Sequence, residues 1–251
     1  MRPVLSVTVT LSCVLLSSVA LAQTPTAPAP EAPPPTWVGG LGAGLSLTSG
    51  NSDTLNVNVA FDLTRTPKAR NVIELKALYL RGEQNDSLVA NRTSVTLRDN
   101  YTLSGRTFLY AQVDYLRDTF KLIDYLVAPT VGVGRKIVDT TRTKFSVDAG
   151  AGSITEKNPG AAARTNAAVT ASEKLTVQLT ATSSLKHAAS GLWKASDFSD
   201  GLYAFSVGLA TKISERTQLS LDLLDTFRSK RPTPSTKRND VAFVASIIAK
   251  F

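Results

Sequence analysis

The chain has one histidine, His187, set in Ser184-Leu-Lys-His187-Ala-Ala-Ser190, with Asn166 upstream. Histidine, serine and an orienting amide are the parts of a hydrolytic unit: the ring takes the hydroxyl proton and the third group fixes the ring. Ser184, Ser190 and Asn166 are the partners available. That chemistry needs ring and hydroxyl within hydrogen-bond reach, and no spacing here imposes it. A lone histidine beside a loop is otherwise a solvated side chain. Metal chemistry has less to work with. The one cysteine, Cys13, lies in an apolar leader, and the carboxylates are scattered without ligand spacing. Gly132-Val-Gly134 and Gly150-Ala-Gly152 open no helix, so they lack the geometry that cradles a phosphate. They suit a tight bend or close side-chain packing. No catalytic, cofactor or metal site is expected.

Charges placed opposite apolar runs are more informative. Asp62, Glu74, Lys76, Arg92, Arg98, Asp114, Lys144, Asp148 and Asp222 occupy such positions, with Ser94, Thr96, Ser146, Thr180 and Ser206 among them. They read as the lining of a wet interior. Either the ions pair and stiffen it, or they form a charge ladder that favours some ions; small barrels tend to fill with side chains. A second set, Arg228, Lys230, Arg231, Lys237 and Arg238, crowds one loop. Lipopolysaccharide phosphates suit it, arginine giving bidentate contact; the alternative is a solvated loop. The formal net charge is +8. A basic excess can mean nucleic acid, but an exported chain with no basic-aromatic module points instead to anionic lipid headgroups.

These residues must be held by strands. In the last stretch, Val241, Phe243, Ala245, Ile247, Ala249 and Phe251 are apolar at every second position, and the chain stops on the aromatic. A terminal strand of this kind is the usual last strand and assembly signal of a bacterial outer-membrane barrel, read by the barrel-assembly machinery. Residues 53–64 alternate equally well, Leu55, Val57, Val59, Phe61 and Leu63 against Thr54, Asn56, Asn58, Ala60 and Asp62. Strands are expected near 37–48, 53–65, 70–82, 88–101, 106–117, 124–137, 143–152, 162–172, 175–184, 202–212, 217–228 and 239–251. Such lengths suit a tilted crossing of a bilayer, which takes about 9–11 residues. Short turns such as Leu103-Ser-Gly-Arg106 and Ser172-Glu-Lys174 alternate with longer connections, notably Ser184 to Gly201 and Arg228 to Arg238. Short turns on one side, longer loops on the other and an even strand count fit a bacterial barrel. Closure pairs every backbone group in lipid, and the glycine-rich first strand is expected to depend on pairing with the last. Trp37, Tyr79, Tyr101, Tyr125, Trp193 and Tyr203 fall near strand ends, as interfacial girdles do.

The start of the chain agrees. Met1-Arg2, an apolar run and Ala20-Leu-Ala22 read as a signal peptide over 1–22, cleaved after Ala22. Residues 23–36 are a Pro/Ala/Thr linker with too little apolar surface to fold. Residues 37–251 form the single domain: all-β, an antiparallel up-and-down transmembrane β-barrel of about twelve strands in the outer membrane.

Gly44-Leu-Ser-Leu-Thr-Ser-Gly-Asn-Ser-Asp-Thr54, and Arg228 to Asp240 leading into the strand that ends at Phe251, resemble the salt-induced outer-membrane protein family, whose function is unknown. The resemblance implies a small barrel, with no catalytic group to carry over. Three readings stay open. The first is a non-enzymatic barrel for envelope integrity or passive passage of small solutes and ions. The second is a soluble periplasmic β-barrel or sandwich that binds an apolar ligand and turns the same faces inward. The third is an outer-membrane lipid hydrolase using His187, as an outer-membrane phospholipase uses a His–Ser–Asn group on its outer wall.

Overall fold

Alternation of apolar and polar residues makes each segment a strand with one oily face, and twelve such strands close on themselves. The structure, a computed structural model, describes residues 37–49, 54–65, 70–84, 87–231, 234 and 237–251. The expected signal peptide and linker lie outside the described residues. The strands are β1 (Trp37–Ser49), β2 (Thr54–Arg65), β3 (Asn71–Gln84), β4 (Ser87–Thr102), β5 (Thr107–Asp118), β6 (Ile123–Asp139), β7 (Thr143–Lys157), β8 (Arg164–Gln178), β9 (Ser183–Lys194), β10 (Asp197–Lys212), β11 (Thr217–Arg228) and β12 (Asn239–Lys250). Each pairs antiparallel with its sequence neighbours, and β12 returns to β1 to close the barrel.

The seam shows how the weak first strand is held. Gly40 to Ser49 pair with Lys250 to Val241, and Gly39 and Phe251 exchange two backbone hydrogen bonds at 3.1 Å. A Cβ on Gly44 would lie 1.8 Å from the Ala245 carbonyl oxygen, so this approach of the two strands tolerates no side chain there. The last residue is therefore a working part of the closure, which leaves no edge strand.

The oily faces point outward. Val57 is 61% exposed and Val131 63%, and Leu41, Leu45, Val59, Leu97, Leu109, Val113, Val133, Leu209, Leu223, Phe243 and Ile247 are exposed on the same outer wall. The reading of a soluble barrel with these faces inside is overturned: an apolar band this extensive belongs against lipid, not water. Tyr79, Tyr125, Trp193 and Tyr203 share the outer wall toward the loop end, and Trp37 and Tyr101 toward the end where the described chain begins and ends. Trp193 Nε1 donates to the Tyr203 hydroxyl at 2.9 Å, and the Arg65 guanidinium lies 5.5 Å from the Trp37 ring centre.

Two details of the expected layout are corrected. Ser172-Glu-Lys174 is no turn: β8 runs on to Gln178, and the reversal falls at Leu179–Thr182, where Thr180 Oγ1 accepts from the amides of Thr182 and Ser183. Charged residues persist inside the strand because the sheet gives each a polar setting, Glu173 outward beside His187 and Lys174 toward the lumen. The long connection expected after residue 184 is also absent. β9 and β10 extend polar residues as paired strand, leaving only two residues between Lys194 and Asp197. On the loop side, the connections 158–163 and 229–238 are longer than four residues, and the others are as brief as the turns opposite.

Candidate functional site

Directly paired residues on neighbouring strands share a face, so the register assigns every candidate. Asp62, Glu74, Lys76, Arg92, Arg98, Asp114, Lys144, Asp148 and Asp222 all lie on the inward face. The structure brings some together and leaves others apart. Arg98 is the hub, only 3% exposed. Its guanidinium donates to Asp148 at 2.7 Å, Gln112 at 2.8 Å and Asn100 at 2.8 Å, and lies 3.9 Å from the Tyr110 ring centre. Ser172 donates to the other Asp148 oxygen at 2.7 Å. Asp114 accepts from Thr96 at 2.7 Å and Gln112 at 2.6 Å, joining the same network. Glu74 lies 3.8 Å from Lys76. A buried arginine with its donors met by acceptors is held in one place.

The paired glycines of β6 and β7 explain how Arg98 reaches this position. A Cβ on Gly132 would come within 2.6 Å of the Tyr110 ring, one on Gly150 within 2.4 Å of its hydroxyl, and one on Gly134 within 2.2 Å of Phe108. The glycines leave a trough in the inner wall. Tyr110 and Phe108 lie in it, and the Arg98 cation stacks on Tyr110. This is the close packing the sequence suggested for these pairs.

Toward the loop end the interior is dry, which the expectation of a wet lumen missed. Leu116, Ile123, Leu126, Ala128, Ile154 and Ala168 face inward from β5 to β8 and bury one another, with Leu192 and Leu202 packed against them. Ion pairs tie the mouth above this cluster. Arg228 makes a bidentate contact with Glu156, at 2.6 and 3.0 Å. Lys194 lies 3.4 Å from Glu156 and 2.6 Å from Asp200. Arg92 donates across the barrel to Thr226 at 2.9 Å. The β5–β6 turn folds inward, and Lys121, 2% exposed, donates to the Thr226 carbonyl at 2.9 Å and pairs with Asp240 at 3.2 Å. Burial pushes the Lys121 ammonium below its usual pKa, and Asp240 pulls against that shift. Asp118 accepts from the amides of Phe120 and Lys121, and Leu122 takes a left-handed φ of 55° to complete the turn. Glu156 was legible in principle: it keeps the parity of Lys144, Ser146 and Asp148 once β7 is known to reach Lys157. Lys121 carries no such signal, because a turn residue has no parity.

The basic loop set divides. Arg228 is corrected from a lipid-facing cation to an inward one, committed to Glu156. Lys230 pairs with Asp197, whose hydrogen bond holds the ammonium above its usual pKa. Arg231 donates to the Pro234 carbonyl at 2.9 Å, and Lys237 and Arg238 are exposed. Lys194, Arg228, Lys230, Arg231 and Arg164 line a cavity of about 370 Å³ at the mouth, together with Glu156 and Asp200.

His187 lies on the outer wall, with Nε2 3.0 Å from Glu173 and Nδ1 3.2 Å from the Ser206 carbonyl oxygen. Ser184, Ser190 and Asn166 are on the inward face, across the sheet from the ring. The structure does not bring the proposed hydrolytic unit together, and both ring nitrogens already face acceptors.

Residues 41–251 match the family described as "Protein of unknown function, DUF481". The chain belongs to this family. No curated protein matches it in sequence. Among solved structures the chain is similar to the NanC porin, with a TM-score of 0.58 and 7% identity over 84% of this chain and 100% of that one. It is also similar to the COG4313 outer membrane channel from Pseudomonas putida F1, with a TM-score of 0.54 and 12% identity over 88% of this chain and 97% of that one. The KdgM porin in complex with disordered oligogalacturonate gives a TM-score of 0.50 and 7% identity over 84% and 99%. At these identities the likeness is one of fold: this chain folds as those outer-membrane porins and channels do.

Proposed function

We propose that this protein is an integral outer-membrane β-barrel holding a narrow passage for small solutes or ions. The observation that carries the reading is the division of the closed sheet into an apolar outer wall and an ionised inner one. The dry cluster and ion-paired mouth would keep conductance low in the state described here. Purified protein in a planar bilayer tests it: small, infrequent conductance steps support the reading, and a silent membrane at all voltages removes it. A second reading, a non-conducting structural barrel, is favoured by the dry Leu116–Ile154 cluster, and silent membranes would support it. Neither reading uses an enzyme or a cofactor, and unchanged lipid turnover in His187→Ala would bear that out for the hydrolase.

The finer parts belong to the same proposal. A leader over 1–22 would deliver the chain to the periplasm; a mature N-terminus at Gln23, found by sequencing, tests it. The apolar face of β12, Val241 through Phe251, would be read by the barrel-assembly machinery. Lys230, Arg231, Lys237 and Arg238 would meet lipopolysaccharide phosphates, exchanging present partners such as Asp197 and the Pro234 carbonyl. A link to salt rests on the sequence resemblance alone, and transcript levels across a sodium chloride series test it.

A further inference from the structure

The two ends of the lumen treat their charges differently. At the loop end three inward cations have carboxylates within salt-bridge reach, Arg228 with Glu156, Lys194 with Asp200 and Lys121 with Asp240, while Arg92 donates to the Thr226 hydroxyl. At the opposite end, where the described chain begins and ends, the inward lysines outnumber the carboxylates able to pair with them. Lys144, Lys186, Lys212 and Lys250 face the lumen near that rim, and Lys174 lies one step deeper. Among the described residues, none of these five has a carboxylate within salt-bridge distance, whereas Arg98 takes Asp148.

The nearby acids are held back by geometry. Asp222 lies folded against the wall in the space a Cβ on Gly208 would need, 2.0 Å from that position, and its other oxygen accepts from Ser220 at 2.7 Å. It therefore acts on Lys186 only from beyond salt-bridge distance. Lys250 is close enough to Lys186 and Lys212 to be repelled by both, with Asp62 the one acid countering them. Lys174 feels Arg98 and Lys76 in the same way, with Glu74 and Asp148 opposing them from beyond salt-bridge distance. Lys144, Lys186, Lys212 and Lys250 are also exposed, so water and solutes reach them. Like charges gathered in a concave, low-dielectric surround focus a positive potential and concentrate counter-ions. Lysines on flexible stems recognise charge more than a fixed geometry.

We propose that this terminus-side vestibule is a binding site for small polyanions, solutes carrying several phosphate, sulfate or carboxylate groups, formed by Lys144, Lys174, Lys186, Lys212 and Lys250. It deepens the passage reading by naming the class of solute, and rests on that reading's wet inner wall, but binding does not require conduction. With ion pairs crossing the loop-side mouth, the ligand enters from the side on which Phe251 lies.

The test uses the mature chain in neutral detergent at low ionic strength, titrated calorimetrically with sodium tripolyphosphate, with maltose as neutral control. Saturable tripolyphosphate binding that weakens with added salt is expected, with no maltose signal. The variant Lys186→Gln/Lys212→Gln/Lys250→Gln should bind about tenfold more weakly, since three of the five charges that gather the anion are gone. A variant losing the same charge from the outer wall, Arg117→Gln/Arg135→Gln/Lys157→Gln, should bind as the parent does. Heat-modifiable migration confirms that each barrel has closed, and Lys144→Gln/Lys174→Gln replaces the first variant if it fails to close. Absent binding, or equal binding by vestibule and parent proteins, overturns the proposal. Binding by a barrel that never conducts would leave the site standing and remove the passage; conduction without binding would do the reverse.

Discussion

Removing one carboxylate at the mouth should cost more stability than removing any surface ion pair. Glu156 is 7% exposed and faces two cations, Arg228 through 2.6 and 3.0 Å contacts and Lys194 at 3.4 Å. At an effective dielectric near 20, each such charge pair is worth up to about 4 kcal/mol before desolvation is subtracted. In Glu156→Gln the shape and one acceptor remain, but the two cations are left with Asp200, 2.6 Å from Lys194 and 4.0 Å from Arg228. Stranding a buried charge costs about 3–5 kcal/mol, and the surviving acceptor places the expected loss at about 3 kcal/mol. The double variant Glu156→Leu/Arg228→Leu removes both charges and adds apolar surface beside the Ile154 cluster, so it should lie within about 1 kcal/mol of the parent. Lys230→Gln breaks only the exposed pair with Asp197 and should leave stability close to the parent's. Equilibrium urea unfolding from lipid vesicles, read by tryptophan fluorescence, measures all three. The same proteins in planar bilayers report the mouth, where Glu156→Gln should open more often than the parent. The argument fails if Glu156→Gln costs less than about 1 kcal/mol, or if the double variant is as unstable as the single one.

Other outcomes follow from the outer wall, the trough and the seam. Val131→Arg puts a cation halfway along β6 on the lipid side and should lower stability in vesicles by about 2–4 kcal/mol, while Val131→Leu should be near neutral. Gly132→Val fills the trough under Tyr110 and should cost about 1–3 kcal/mol by urea unfolding, with Arg98 displaced from its stack. Arg98→Lys keeps the charge but loses the fork and should cost about 1–3 kcal/mol in the same assay. Deleting Phe251 removes two backbone bonds to Gly39 and the terminal aromatic, and should reduce the heat-modifiable fraction in isolated outer membranes.

Period-two alternation determined most of the fold from sequence alone. In segments such as Leu55 to Leu63 and Val241 to Phe251, side-chain direction is a local property of extended backbone, so the spacing fixes which residues share a face. The inward placement of Asp62 through Asp222 follows from the same rule. What parity cannot say is which face meets lipid; closure decided that, because only the ring of twelve strands turns Val57 and Val131 outward together. Polarity misled at Ser172-Glu-Lys174 and after residue 184, since charged residues look like turn residues until a neighbouring strand supplies a partner such as His187 for Glu173. The same error hid His187 itself: once β9 is continuous, the odd separations to Ser184 and Ser190 put the ring on the opposite face from both hydroxyls. The tied mouth, the dry cluster and the unpaired lysine rim belong to tertiary structure entirely. They depend on contacts across the bore, such as Glu156 with Arg228 and Lys121 with Asp240, between residues far apart in the chain and brought together only by the closed barrel.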